Sequence, residues 1–261
     1  MTFADAKQRF SNRVEDYVRY RPSYPYGVLN FLKEKCSLHR EHVIADIGSG
    51  TGLLSMLFLE NGNHVYGVEP NAEMQAAGKE FLRSYPNFAG ILASAETTTL
   101  AEHSIDSVTA GQAFHWFDPI ASRKEFSRIL KPGGWVVVVC NERQTDSTPF
   151  LRDYEALLRR FGTDYARVSD SYPVPEDMDG FFGRHNYLSH ELPNLQEFDF
   201  DGLSGRLRSS SYAPAAGHPD FPQMMNELNH IFTAYQKNGV VRFDYRTRIY
   251  AGNLDTTGTG A

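Results

Sequence analysis

The chain has 261 residues, a formal net charge of −6 and 41% hydrophobic residues, which excludes a disordered polymer and predicts one large domain or two small ones. The acidic excess disfavours a nucleic-acid partner, and no apolar run approaches the roughly 20 residues of a membrane span. Cys36 and Cys140 lie outside any metal-ligand spacing, and the chain begins without a signal-peptide pattern. We therefore expect a cytoplasmic protein without a metal or membrane partner that acts on a small molecule.

The first part of the chain predicts alternating strands and helices. Residues 4–35 have a helical pattern that Pro22 and Pro25 interrupt, which predicts two helices joined by a proline turn. Strands are then predicted at 43–47, 64–69, 88–93, 105–110 and 135–140, and helices at 53–61, 72–85 and 119–129. Strands separated by helices of this length predict right-handed βαβ units and a parallel sheet covered on both faces, a doubly wound α/β fold.

The pattern changes after Asn141. Residues 148–161 predict a helix, and the following stretch to residue 183 is rich in Asp, Pro and Gly, which is typical of an insertion over one end of the sheet. A strand at 186–192, an amphipathic helix at 220–237 and an alternating strand at 240–250 are expected to complete the sheet.

The strongest functional signal is DIGSGTG at residues 46–52, where the first predicted strand gives way to a helix. Glycines let the backbone approach a ligand, and ligands of parallel sheets bind at the carboxyl ends of the strands. Glu69 ends the second strand, where a carboxylate can accept the hydroxyls of a ribose. The spacing Gly-x-Gly-x-Gly is one residue shorter than the dinucleotide fingerprint. It therefore favours another adenosyl ligand over a dinucleotide.

Five segments in order resemble the class I S-adenosylmethionine-dependent methyltransferases, and within them the small-molecule branch that includes trans-aconitate-type enzymes. The segments are DIGSGTG at 46–52, Glu69, Ala95-Glu96, QAFHWF at 112–117 and RILKPGG at 128–134. The resemblance implies S-adenosyl-L-methionine as the cofactor and a Rossmann-like doubly wound α/β sheet of seven strands, the last of them antiparallel. The helix and strand expected at 220–250 match that last part.

The resemblance also implies one methyltransferase domain over residues 1–254. We expect helical lid segments at 1–38, a cofactor-binding core at 43–141, a substrate-side insertion after the fifth strand at 142–219, and a final helix and strand at 220–254. Residues 255–261 have no apolar anchor and predict a flexible tail.

Cofactor contacts follow from the resemblance position by position. Asp46, Gly48 and Gly50 would hold the methionine part of the cofactor, and Glu69 would hold its ribose. Ser94, Ala95 and Glu96 would line the adenine, and Gln112 would face the sulfonium end. The remaining expected members of the cofactor site are Ser49, Gly52 and Pro70.

The amino-terminal segment resembles the lid helix of the same branch. Tyr17 or Tyr20 would close over the cofactor together with Arg21, which would pair with the cofactor's carboxylate through a charge-assisted fork. The alternative is a helix that packs its aromatic side chains onto the domain.

His115 is the candidate catalytic residue because it follows the fourth strand, where the methyl group would lie. A sulfonium is already a strong electrophile, so an enzyme mainly has to hold the acceptor in line with the methyl carbon and exclude water. A carboxylate acceptor needs no base, whereas a hydroxyl or a protonated amine does, and a histidine with an ordinary pKa of about 6.5 suits that task. The alternative is that His115 and Trp116 form a packed wall of the pocket.

Substrate choice is assigned to residues 144–184 and 206–212. Arg206, Arg208 and Tyr212 either meet an acidic substrate or lie solvated in a loop. The favoured function is methyl transfer to a small molecule, with carboxylic acids among the acceptors. The alternatives are a non-catalytic protein that binds the adenosyl cofactor and a nucleotide-dependent oxidoreductase. The chain lacks a base-flipping motif and a basic stripe, which disfavours nucleic-acid methylation. The sequence leaves the oligomeric state open.

Overall fold

The computed structural model describes residues 19–165 and 175–254. Seven strands form one sheet: β1 (Val43–Ile47), β2 (His64–Val68), β3 (Phe88–Ile91), β4 (Ile105–Gly111), β5 (Leu130–Arg143), β6 (Tyr187–Phe198) and β7 (Val241–Asn253). Their order across the sheet is β3-β2-β1-β4-β5-β7-β6. Strands β1 to β5 pair in parallel, and β7 runs antiparallel to both β5 and β6. The predicted α/β sheet with an antiparallel last strand is confirmed.

The helices of the described residues are α1 (Gly27–Lys35), α2 (Leu53–Glu60), α3 (Ala72–Phe81), α4 (Pro119–Ile129), α5 (Pro149–Phe161), α6 (Pro175–Phe182), α7 (Phe200–Arg208) and α8 (Phe221–Tyr235). Side-chain caps begin three of them near the predicted positions. Asn71 and Asp118 each accept two backbone N–H groups of the first turn of α3 and α4, and Thr148 accepts one of α5. Caps of this kind satisfy amides that a helix otherwise leaves unpaired.

Apolar side chains cover both faces of the sheet. One core packs β4 and β5 against α4 and α6, and the other packs β1 and β5 against α1 and α2. A third cluster, centred on the fully buried Phe243, joins β7 to α5, α7 and α8. These helices therefore lie beside the carboxyl end of β5, where the substrate side of the molecule was expected.

The predictions for residues 142–219 were incomplete. The strand expected at 186–192 continues to Phe198, α7 was not predicted, and α6 lies in the stretch that reads as irregular. Strand β6 is an edge strand whose residues are mostly exposed, so no clear apolar pattern marks its end. The first amino-terminal helix and the tail lie outside the described residues, and the division into lid, core and insertion stays a prediction. None of the described helices is long and apolar enough to cross a membrane.

Candidate active site

The turn between β1 and α2 contains three glycines with left-handed backbone. The φ angle is +66° at Gly48, +55° at Gly50 and +87° at Gly52, a conformation that residues with side chains adopt only at a cost. The turn is also closely packed. A Cβ at Gly48 would lie 2.5 Å from the Cβ of Ala113, and one at Gly52 would lie 2.5 Å from Leu82. Both space and backbone conformation therefore require glycine at these two positions.

Glu69 lies directly after β2 and faces this turn. Its Oε2 accepts a hydrogen bond from the amide of Gly50 at 2.9 Å, and its Oε1 accepts one from the amide of Asn71 at 2.8 Å. The amide of Ser49 donates to the carbonyl that ends β2 at 3.1 Å. The structure thus brings together the glycine turn and the acidic residue that the sequence analysis paired, with the half-buried Pro70 next to them.

Asp46 lies beneath the turn and is fully buried. Its Oδ2 accepts a hydrogen bond from the Ser55 hydroxyl at 2.6 Å, and its Oδ1 accepts one from the Thr109 hydroxyl at 3.0 Å. Burial raises the pKa of Asp46 to about 6, although both hydroxyl bonds oppose the shift. Asp46 therefore links β1, α2 and β4, and its contact with a cofactor stays a prediction.

The three residues expected around the adenine lie in the loop after β3. The carbonyl of Ser94 accepts a hydrogen bond from Thr97 at 3.3 Å, Ala95 is buried in the core, and Glu96 accepts one from the amide of Asp118 at 3.1 Å. Strand β3 neighbours β2 in the sheet, so this loop and Glu69 lie at the same edge of adjacent strands.

Gln112 follows β4 with a left-handed φ of +56°, which is uncommon for a residue with a side chain. Its side chain is held by the main chain of Asn141 in β5. The Gln112 Oε1 accepts a hydrogen bond from the Asn141 amide at 2.7 Å, and its Nε2 donates to the Asn141 carbonyl at 3.3 Å. These bonds offset the cost of the backbone conformation. Strand β4 lies next to β1, and Gln112 immediately precedes the residue that contacts Gly48.

The glycine turn, Glu69, the loop at 94–96 and Gln112 therefore follow the carboxyl ends of four adjacent parallel strands. A family model described as a methyltransferase domain matches residues 45–138, the part of the chain that contains all of them. This part of the chain is therefore similar to a methyltransferase domain in sequence as well as in the arrangement of these groups.

A sequence relative and a solved structure are both described as methyltransferases. An uncharacterized methyltransferase of Mycobacterium bovis is 32% identical over 172 residues, which is 66% of this chain and 66%, just under two thirds, of the relative's length. A structure described as a type II methyltransferase from Anaeromyxobacter dehalogenans superposes with a TM-score of 0.66 at 24% identity, over 90% of this chain and 98% of that one.

A second similar structure contains a form of the cofactor. The phosphoethanolamine N-methyltransferase 2 of Haemonchus contortus, in complex with S-adenosylhomocysteine, superposes with a TM-score of 0.55 at 14% identity, over 96% of this chain and 58% of that one. Identities this low show a shared fold alone. S-adenosylhomocysteine is the demethylated form of S-adenosyl-L-methionine, the cofactor that the sequence analysis predicts.

His115 lies in a 3₁₀ turn, Phe114–Trp116. Its ring centroid is 4.9 Å from that of Trp116, and its Nδ1 is buried without a hydrogen-bond partner among the described residues. Burial lowers the pKa of His115 to about 4. The imidazole is therefore neutral at pH 7 and is a weak proton acceptor, which favours the pocket wall over the general base.

Two of the predicted lid residues contact α7. The Arg21 Nη2 donates to the carbonyl of Ser209 at 2.9 Å, and the ring of Tyr20 packs where a side chain at Gly205 would lie. Tyr17 is outside the described residues. Contacts of Tyr20 and Arg21 with the cofactor stay predictions.

The region after β5 also contains a buried ion pair that the sequence analysis did not predict. Arg143, near the end of β5, donates to Glu155 of α5 at 2.5 Å and to the hydroxyl of Tyr165 at 2.9 Å. All three residues are buried. The spacing of 12 residues between Arg143 and Glu155 matches no local pairing rule, so sequence alone offers no signal for this pair.

Arg206 lies in the last turn of α7 and is 5% exposed, so the alternative of a solvated loop is wrong for this residue. Its guanidinium donates to the hydroxyls of Tyr245 at 3.3 Å and Ser210 at 3.0 Å. Among the described residues, no carboxylate lies within ion-pair distance of it. Burial opposes ionisation of the neighbouring Tyr212, but the charges of Arg206 and two further arginines outweigh burial and lower the Tyr212 pKa.

Asn141 and Thr247 are buried polar residues that the sequence analysis did not select. The Thr247 hydroxyl donates to the Asn141 Oδ1 at 2.6 Å. The signal was present in β7, where Thr247 is a polar residue in the buried alternating set that includes Phe243, Tyr245 and Ile249. The described residues contain no group of three or more His, Cys, Asp or Glu side chains that could hold a metal.

Proposed function

We propose that this protein is an enzyme that transfers a methyl group from S-adenosyl-L-methionine to a small molecule with a carboxylate. The groups around Gly50 and Glu69 would hold the cofactor, which when bound would supply an electrophilic methyl group for an ionised carboxylate to accept. No proton is transferred, so the substrate needs no base. The neutral, weakly basic His115 is compatible with such an acceptor.

The buried charge of Arg206 is the main observation that supports an acidic methyl acceptor. An arginine remains protonated in a protein, so it cannot relieve burial by losing its proton. Removing a charge from water is expensive unless an opposite charge pairs with it. Arg206 has two neutral hydroxyl partners and no carboxylate partner among the described residues. A substrate carboxylate would complete its hydrogen bonds and its charge balance.

The position of Arg206 supports this role through a short series of contacts. Arg206 and Gly205 are neighbours on α7, and Tyr20 packs against Gly205. Gln196 donates to the carbonyl of Tyr20 at 3.3 Å. Residues just after Tyr20 contact Asn141, whose main chain holds Gln112. The candidate anion site is thus connected to the proposed sulfonium end of the cofactor site.

For the cofactor itself, the chain offers a fitting set of groups. The turn leaves the main chain of Gly48 and Gly50 half-buried at the carboxyl end of β1, and the Glu69 carboxylate beside Gly50 can accept ribose hydroxyls. We propose that Ser94, Ala95 and Glu96 line the adenine and that the remaining contacts are those listed from the family resemblance. We also infer a cytoplasmic location and no nucleic-acid partner.

Arg206→Met and Arg206→Lys test whether the methyl acceptor is a carboxylic acid. The matched control is Arg160→Met, which replaces an exposed arginine on α5. The assay follows the labelled methyl of S-adenosylmethionine into a panel of carboxylic acids and their amides. We expect transfer to acids and not to amides. Arg206→Met should lower kcat/KM for acids by at least about 100-fold, because it removes a buried charge-assisted contact, and should leave cofactor affinity unchanged.

Stability provides a second readout that separates this proposal from a structural role for Arg206. Replacing an unbalanced buried charge with a similar apolar side chain should leave the free energy of unfolding unchanged or raise it by about 1–4 kcal/mol. Loss of stability together with unchanged acid transfer would contradict the proposal. Cofactor binding without transfer to any acceptor would favour the non-catalytic alternative, and binding of NAD instead would favour the oxidoreductase.

A further inference from the structure

The side chain of Asn141 connects the amino-terminal segment to the sheet. Its Nδ2 donates to the carbonyl of Ser23 at 3.2 Å and to that of Pro22 at 3.5 Å. Its Oδ1 accepts from the hydroxyl of Thr247 at 2.6 Å and from the Nδ2 of Asn194 at 3.1 Å. Asn141 itself is 2% exposed. All four bonds join elements that are far apart in sequence.

The segment that Asn141 contacts, residues 20–24, crosses the carboxyl ends of the strands. Asn194 of β6 donates to the same Ser23 carbonyl at 2.8 Å. At the other side, the hydroxyl of Tyr24 lies 2.5 Å from the position of a Cβ on Gly111, the last residue of β4. The segment therefore lies over the edge of the sheet at which the glycine turn and Gln112 meet.

The main chain and the side chain of Asn141 have separate contacts. Its amide and carbonyl hold the side chain of Gln112, whose backbone is left-handed. Its side chain holds Pro22 and Ser23. One residue thus fixes both the residue after β4 and the segment above it, and a side-chain variant can break the second link while leaving the first intact.

We propose that Asn141 is a positioning residue for methyl transfer: its side-chain amide fastens the segment at residues 20–24 over the carboxyl ends of β4 and β5, where it forms the roof of the cofactor site. A single amide serves this purpose because it donates toward the segment and accepts from β6 and β7 at the same time. A carboxylate in its place can only accept, and would face the Ser23 and Pro22 carbonyls with lone pairs.

Asn141→Asp is therefore the main test, and tryptic cleavage after Arg19 is its first readout. The next arginine bond, between Arg21 and Pro22, is resistant to trypsin, so the fragment that begins at Tyr20 reports release of the segment. We expect Asn141→Asp to accelerate this cleavage about tenfold, because it loses the bonds to Ser23 and Pro22 and places carboxylate lone pairs against both carbonyls. This readout is independent of whether the protein transfers methyl groups.

The second readout is kinetic and rests on the proposed function. With the roof loosened, the KM for S-adenosylmethionine should rise about tenfold, while kcat at saturating cofactor should change by less than about threefold, because bound cofactor restores the closed segment. A change in cleavage without any methyl transfer in the wild-type protein would contradict the proposed function but not the fastening role of Asn141.

Thr247→Val is the matched control, because it removes a donor to Asn141 without touching the segment. It should lower stability and leave cleavage and KM within about twofold of wild type. Equal acceleration in Thr247→Val and Asn141→Asp would overturn the proposal in favour of general destabilisation. If Asn141→Asp does not fold, Asn141→Ala removes the bonds to Ser23 and Pro22 without adding a charge. Wild-type cleavage in that variant would also overturn it.

Discussion

The cofactor side and the substrate side of the sheet each bury an ionisable side chain among hydroxyl groups, but only one of these side chains can lose its charge. Asp46 accepts from Ser55 and Thr109, and burial raises its pKa to about 6, so it can take up a proton. Arg206 donates to Tyr245 and Ser210 and stays charged. The charge of Asp46 therefore depends on pH, whereas the charge of Arg206 does not. An anionic ligand can balance the charge of Arg206.

The two sides also differ in the groups they offer to a ligand. On the proposed cofactor side these would be largely main-chain groups of the turn at Gly48, Gly50 and Gly52, supported by Glu69. On the proposed substrate side they would be long side chains that α5, α7 and β7 bring together. A site made from main chain tolerates little added volume, whereas a site made from side chains depends on individual charges.

The largest expected effect is that of Gly48→Ala. The new Cβ would lie 2.5 Å from the Cβ of Ala113, at a residue with φ of +66°. The turn must move to relieve this contact, and we expect the affinity for S-adenosylmethionine to fall about 100-fold, as overpacking and backbone strain of about 3 kcal/mol together predict. Calorimetric titration measures it.

Gly133→Ala is the control for backbone strain alone. Its φ is +76°, but no atom lies within 4 Å of the new Cβ. The variant should lose about 1–2 kcal/mol of stability and keep wild-type cofactor affinity. If Gly48→Ala binds the cofactor as tightly as Gly133→Ala does, the proposal that the main chain of the turn lies close to the cofactor is wrong.

Asp46→Asn has the next largest effect, on the pH dependence of stability. A folded-state pKa of about 6, raised from 3.8, means that the folded protein binds the proton more tightly than the unfolded chain. The resulting stabilisation is complete below pH 3.8 and is lost as pH rises through 6. In free energy this loss is on the order of 3 kcal/mol.

Asparagine does not titrate, so the free energy of unfolding of Asp46→Asn should not fall between pH 4 and pH 7. Urea unfolding across that pH range measures it. Thr109→Val, which removes a hydroxyl bond that lowers the Asp46 pKa, should move the fall to higher pH. Parallel stability curves for wild type and Asp46→Asn would show that the carboxyl does not titrate in this range.

The smallest effect is expected for His115→Gln. A group with a pKa of about 4 is already deprotonated at pH 6 to 8, so wild-type turnover should not change across that range through this residue. Glutamine keeps most of the volume of the wall, and turnover should change by less than about fivefold. Two results would instead support His115 as a general base. One is a loss of turnover by several orders of magnitude, and the other is an inflection near pH 6.5 in the wild-type pH–rate profile that is absent in the variant.

The sequence by itself determined the parts of this protein that depend on local chemistry. A strand followed by alternating glycines and an acidic residue at the next strand end is encoded within a few residues, because sharp turns and helix caps are decided by neighbours along the chain. DIGSGTG at 46–52, Glu69 and the starts of the helices at 72 and 119 were therefore readable, as was the antiparallel last strand once the family resemblance was included.

Only the tertiary structure decided the substrate side. In the sequence Arg206 has the pattern of a solvated loop residue, but it is buried where α7 packs against β7. Asn141 only marks the end of an apolar strand in the sequence, whereas in the structure residues 22–23 lie above it. These contacts join residues separated by up to 119 positions. Burial and long-range hydrogen bonding are properties of packed elements, and no local pattern records which distant group will supply the partner.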